Sequence, residues 1–153
     1  MVTCVFTGHR QIFEPNISEK VKKALEKLIE IENRIVFLNG KMNRFANVCA
    51  GAVRTMKEKY PEKEIRNCLV LPYYSNRINT EKSYFQSLYD EILLPEEVEC
   101  TYYKAAITKR NRFVQTLCSH TSTTIMAALT KPIDTHRRNP FLLSTLRKEQ
   151  QYV

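Results

Sequence analysis

The sequence predicts an α/β domain, a three-layer sandwich with helices on both faces of a mostly parallel β-sheet. Three observations carry this expectation. Short apolar runs closed by turn residues recur at Val2 to Phe6, Arg34 to Leu38 and Asn67 to Leu71, the pattern of strands buried on both faces. Amphipathic stripes of helical spacing lie between them. Strands alternating with helices imply βαβ units, a parallel sheet and right-handed crossovers.

The elements follow in order. The first strand ends at Thr7-Gly8, and after Pro15 the pair Asn16 and Glu19 forms a capping-box pattern at a helix start. Ile17, Val21, Ala24, Leu25, Leu28 and Ile29 make its apolar stripe, while Lys20, Lys22, Lys23, Glu26 and Lys27 fill the other face. The second strand ends at Asn39-Gly40. A helix with Phe45, Val48, Cys49, Ala52, Val53 and Met56 inward follows and stops near Tyr60-Pro61, because a residue preceding proline disfavours the helical region. Pro72 closes the third strand. Thr80 is placed as the N-cap of a helix to about Leu93 that carries Tyr84, Leu88 and Ile92 inward. Glu97 to Tyr102 alternates in polarity and reads as an edge strand, and Lys104 to Leu117 as a helix.

The 153 residues fit one domain that buries roughly two-thirds of its unfolded surface. No apolar run approaches the ~20 residues of a membrane helix, and the N-terminus lacks the pattern of a signal peptide. A cytoplasmic protein without a membrane partner is expected. Cys4, Cys49, Cys68, Cys100 and Cys118 show no C-x-x-C spacing and read mostly as reduced, buried thiols. The net charge of +8 permits binding of phosphate or nucleic acid without requiring it.

In parallel sheets, ligands bind beyond the carboxyl ends of the strands, beside helix N-termini. Two loops lie there: Thr7-Gly8-His9-Arg10, and Asn39-Gly40-Lys41-Met42-Asn43 before Arg44. Arg10 has the donor fork for a phosphate or carboxylate, and a structural ion pair is an equal alternative. His9 reads as a base, as a donor to a ligand, or as a hydrogen-bonded structural histidine. The run Lys109-Arg110-Asn111-Arg112 has the form of a solvated face; the alternative is that part of it turns inward, since Arg110 and Asn111 cannot share the side of Lys109 and Arg112 throughout. Walker, complete G-x-G-x-x-G, H-E-x-x-H and G-x-S-x-G motifs are absent. His120 and His136 have no partners at metal-ligand spacing, and no catalytic set is recognisable.

CVFTGHR near the start, a glycine loop leading into a helix with Phe45, VLPY after the third strand, and YKAAITKRNR together resemble the short, stand-alone SLOG proteins. These are Rossmann-like relatives of the cytokinin-activating LOG enzymes and of DNA-processing DprA. The resemblance covers residues 1–113. It implies a Rossmann-like domain over residues 1–117 and a pocket at the sheet's carboxyl edge for a nucleotide or nucleotide-derived, ADP-ribose-like ligand, such as an adenine nucleotide. Gly8, His9, Arg10, Gly40, Asn43, Phe45, Lys109, Arg110 and Arg112 are the ligand-binding candidates.

Two departures stand out. Ala46 occupies the place of an acid that follows the phenylalanine in the family, and the Pro-Gly-Gly-x-Gly-Thr loop and glutamate of LOG enzymes are absent. After the Arg-Asn-Arg motif the family continues with a strand, a glycine phosphate loop, a helix and a final strand. Here Cys118 to Thr124 is polar and no glycine follows Gly51. A frameshift near Phe113 to Gln115 accounts for this. In the frame joining each codon's last base to the next codon's first two, Met126-Ala127 must read Gly, and its neighbours are compatible with Gly-Gly-Thr. Absence of Gly-Gly-Thr from that frame of the gene refutes the idea. Residues 118–153 then form an atypical tail in which the C-terminal strand is missing or replaced. Either the tail is disordered and basic, or Phe141, Leu142, Leu143 and Leu146 form a short helix.

The leading functional expectation is ligand binding as a sensor or processing module rather than an enzyme. One alternative is single-stranded nucleic-acid binding, from the charge, the basic cluster and the likeness to DprA. Another is an N-glycosidic hydrolase, against which the missing acid and loop count. The implied partners are a small nucleotide ligand, then nucleic acid, then a second copy of the chain in a homo-oligomer. Tyr73, Tyr74, Tyr84, Tyr89, Tyr102 and Tyr103 fall mostly at core-like spacings, without an obvious stacking platform.

Overall fold

A computed structural model describes residues 1–8, 15–40, 44–99, 101–120, 123–128 and 141–145. The chain is an α/β sandwich. Strand β1 (Val2–Gly8) pairs in parallel with β2 (Arg34–Asn39), β2 with β3 (Glu64–Val70), and β3 with the short β4 (Glu91–Leu93). On the far side of β1 lies β5 (Thr123–Ala128), also parallel, and then β6 (Phe141–Thr145), antiparallel. The order β4-β3-β2-β1-β5-β6 reverses direction at β1, as in doubly wound sheets.

Side-chain alternation along the strands builds two core layers. Cys4 and Phe6 of β1, Ile35 and Phe37 of β2 and Ile65 of β3 face helices α1 (Ile17–Ile31) and α2 (Arg44–Lys59). Those helices bury Ile17, Val21, Leu25 and Ile29, and Phe45, Cys49, Ala52, Val53 and Met56. The Phe6 and Phe37 rings stack at 5.5 Å. The alternate residues Val5, Leu38, Cys68 and Val70 face the opposite way, toward Val114 and Phe113 of α6 (Tyr103–His120). Cys4, Cys49 and Cys68 are buried thiols.

The capping box does not form. Asn16 has φ 66, a left-handed conformation that asparagine tolerates, and makes no side-chain cap bond. Reaching back to the first-turn N–H groups needs an extended N-cap backbone. The expected helix from Thr80 to Leu93 is instead α3 (Arg77–Thr80), α4 (Lys82–Leu88) and β4. Thr80 ends α3, its hydroxyl donating to the Arg77 carbonyl. Phe85 and Tyr89, rather than Tyr84 and Ile92, turn inward, against Ala50 and Leu69.

The edge strand therefore lies at 91–93, not at Glu97 to Tyr102. Asp90 sets this register: its carboxylate accepts the Asn67 backbone N–H at 2.8 Å, while the Asp90 N–H donates to the Asn67 carbonyl at 2.9 Å. Asn67 Nδ2 also donates to the Leu88 carbonyl at 2.8 Å. Residues Glu96–Glu99 form the short helix α5, started by Pro95, whose carbonyl accepts from the Val98 and Glu99 N–H groups. Proline's preset φ suits a helix start, and this overrides a short alternating pattern.

Beyond residue 117 the structure also departs from expectation. Helix α6 continues to His120, and Thr123–Ala128 occupies the sheet position beside β1. Phe141–Thr145 is a strand rather than a short helix, because its backbone pairs with β5 from Thr124 to Ala128. Leu146 and the rest of the expected tail, 121–122, 129–140 and 147–153, lie outside the described residues. No described helix is long and apolar enough to cross a membrane.

Candidate functional site

Parallel pairing brings the carboxyl ends of the strands together along one edge. Asn39 of β2 lies level with Leu69 of β3, and Gly8 of β1 with Ala128 of β5. Asn39 is buried, and its Nδ2 donates to the Ala46 carbonyl at 2.9 Å, tying the end of β2 to the first turn of α2. Gly40 follows directly.

Helix α6 lays one face on this layer. Residues spaced by three or four share a helix face, and Ala106, Arg110 and Val114 are buried while Lys109, Asn111 and Arg112 are exposed. Arg110 is thus the member of the basic run that turns inward, with 7% of its surface accessible. Its Nη1 donates to the Val70 carbonyl at the end of β3, a long contact of 3.4 Å. Its Nε has no hydrogen-bond partner among the described residues.

Gly40 makes room for this guanidinium. A Cβ at position 40 would stand 1.8 Å from Nη1, 2.8 Å from Cζ and 3.1 Å from Nη2 of Arg110. Gly40 does not have positive φ, so what the position requires is space rather than backbone freedom. The guanidinium lies across the ends of β2 and β3.

Among the described residues this arrangement is electrostatically incomplete. A guanidinium keeps its proton in proteins, and removing such a charge from water costs several kcal/mol unless an anion and hydrogen bonds compensate it. Burial pulls the Arg110 pKa below the ordinary guanidinium value. Among the described residues no carboxylate pairs with it, and its one hydrogen bond goes to the Val70 carbonyl. A phosphate or carboxylate at this edge would supply the missing counter-charge in the fork geometry that arginine favours.

The other candidates divide by position. Gly8 ends β1 on the same edge. Phe45 lies in the core between sheet and helices, its ring packed among the residues facing α1 and α2. Lys109 and Arg112 point to solvent on α6. His9, Arg10 and Asn43 lie outside the described residues. Ala46 is buried in the first turn of α2, and its carbonyl accepts from Asn39. Among the described residues no group of three or more His, Cys, Asp or Glu side chains is placed to hold a metal ion.

Two features of this edge escape the sequence reading. One is the Val70 carbonyl, which no side-chain pattern marks. The other is aromatic. Of the six tyrosines at core-like spacings, only Tyr89 is buried; Tyr73, Tyr74, Tyr84, Tyr102 and Tyr103 are exposed. Tyr73 and Tyr74 follow Pro72 beyond β3, and Tyr102 and Tyr103 stand at the start of α6, outside any continuous apolar stripe. That position was the available signal.

The chain matches no protein-family model, and no curated protein matches it.

Proposed function

We propose that this protein binds a nucleotide or nucleotide-derived, ADP-ribose-like ligand at the carboxyl edge of its sheet, as a SLOG-like sensor or processing module. The observation that carries the reading is Arg110: a buried, permanently charged fork over Gly40, without a counter-ion and with Nε unpartnered among the described residues. The strand reversal at β1 supports it, since open α/β sheets bind ligands beyond their carboxyl ends near such a reversal. Binding is favoured over glycosidic hydrolysis because Ala46 stands where the resembled family carries an acid and the Pro-Gly-Gly-x-Gly-Thr loop is missing.

The test is a thermal melt with AMP, ADP-ribose, NAD and cyclic nucleotides. Ligand at ~100 times its Kd adds about 2.7 kcal/mol, which raises Tm by roughly 5–10 °C in a domain of this size. Arg110→Ala removes that rise. A cooperative melt that none of these compounds moves refutes the reading.

A second reading has its own support. Exposed Tyr102 and Tyr103 share helix α6 or its start with the exposed cations Lys104, Lys109 and Arg112, a combination suited to single-stranded nucleic acid. Affinity for an oligonucleotide that falls steeply with salt is its signature.

A further inference from the structure

We infer that Tyr73 and Tyr103 form the base-stacking end of the Arg110 site, so that its ligand is a mononucleotide held by phosphate at one end and base at the other. This rests on the anion-binding reading of Arg110. The two rings meet edge to face, centroids 5.7 Å apart, although they come from different elements. Neither is consumed by the core: Tyr73 is 36% and Tyr103 64% exposed. Exposed aromatic surface fixed by a ring contact is a ready platform for a planar base.

The pair and the cation belong to one edge. Tyr73 lies three residues beyond Val70, the carbonyl that Arg110 contacts. Tyr103 precedes Arg110 by two turns of α6, about 10 Å along the axis and on the same face. Between them Ala106 is buried and small. Long side chains on a helix lean toward its N-terminus, which brings the guanidinium back toward Tyr103. Inorganic phosphate can occupy only the Arg110 end. A nucleoside monophosphate, with base and phosphate on opposite sides of a ribose, reaches both.

The chain has no tryptophan and eight tyrosines, so the quenching of tyrosine emission that is lost in Tyr73→Ala and Tyr103→Ala reports stacking on this pair. Binding of AMP, ribose 5-phosphate and a short single-stranded oligonucleotide is titrated against the wild type, Tyr103→Ala, Tyr103→Phe and Tyr73→Ala. The rings are exposed, and a cooperative melt verifies that each variant folds. AMP is expected to bind more tightly than ribose 5-phosphate. Tyr103→Ala weakens AMP roughly 5- to 100-fold and leaves ribose 5-phosphate unchanged, while Tyr103→Phe restores AMP binding.

Equal affinity for AMP and ribose 5-phosphate, or an AMP affinity indifferent to Tyr103→Ala, overturns the stacking end and leaves Arg110 as an anion site. An oligonucleotide that binds more tightly than AMP and depends on Tyr103 makes the occupant a strand and overturns the mononucleotide. No binding of any probe overturns the Arg110 reading and this inference with it.

Discussion

Gly40→Ala separates ligand binding from stability at the site. The added Cβ would fall 1.8 Å from Arg110 Nη1 and 2.8 Å from Cζ, distances at which one atom must move. The strand leading into Gly40 is paired with β1 as far as Leu38 and with β3 as far as Asn39, whereas the guanidinium is the far end of a long side chain, so Arg110 moves. It loses the 3.4 Å contact to Val70, a weak bond at that length, and gains water in exchange for burial. Gly40 does not have positive φ, so alanine fits the backbone and restricts the unfolded chain, worth about 0.4–1 kcal/mol. The net change in stability is therefore within about 1 kcal/mol, or roughly 2–4 °C in Tm. Binding behaves differently, because a charge-assisted hydrogen bond contributes about 1.5–3 kcal/mol. Losing one lowers affinity for AMP roughly 10- to 100-fold. Melts with and without AMP, paired with a direct titration, measure both quantities. A variant that binds AMP as the wild type does refutes the role given to the Gly40–Arg110 contact. A variant that loses its cooperative melt refutes the claim that the side chain, not the strand, gives way.

Other perturbations probe the same structure. Arg110→Met replaces a buried cation that no described carboxylate compensates with an apolar chain of similar length; it should stabilise the ligand-free protein by roughly 1–2 kcal/mol and abolish the nucleotide-induced rise in Tm. A destabilised methionine variant would mean that the charge is compensated without ligand. Asp90→Ala leaves the Asn67 backbone N–H without its acceptor and frees β4; a loss of about 1–3 kcal/mol is expected in urea unfolding, and an unchanged midpoint would contradict it. Burial raises the Cys68 thiol from 9.0 to about 11 and pushes Cys49 upward as well. The folded chain then keeps protons that the unfolded chain releases, so stability is full below pH 9 and declines between pH 9 and 11. Cys68→Ala should flatten part of that decline in melts across the window, and an unaltered profile would remove Cys68 as its source.

Much of the layering was legible without coordinates. Val2 to Phe6, Arg34 to Leu38 and the stripe from Ile17 to Ile29 announce their elements because strand and helix periodicity are set by residues two to four positions apart. The parallel sheet and its carboxyl edge follow from the alternation of those elements. The partition of Lys109-Arg110-Asn111-Arg112 between two faces was also legible, since a helix turns by a known angle per residue. Short elements were harder to read. Glu91–Leu93 became the edge strand because Asp90 and Asn67 exchange hydrogen bonds across 23 positions, a pairing that no local pattern encodes.

What the sequence by itself determined, then, is an α/β sheet with positively charged residues near the ends of its strands. Which of those charges is buried was decided only by the tertiary structure. Arg110 turns inward onto the Val70 carbonyl, 40 positions away, and into the space that Gly40 leaves open farther off along the chain. Whether a tyrosine faces core or solvent was decided in the same way, by the elements packed around it. Burial is a property of the packed neighbours a side chain meets, and those neighbours are distant in sequence.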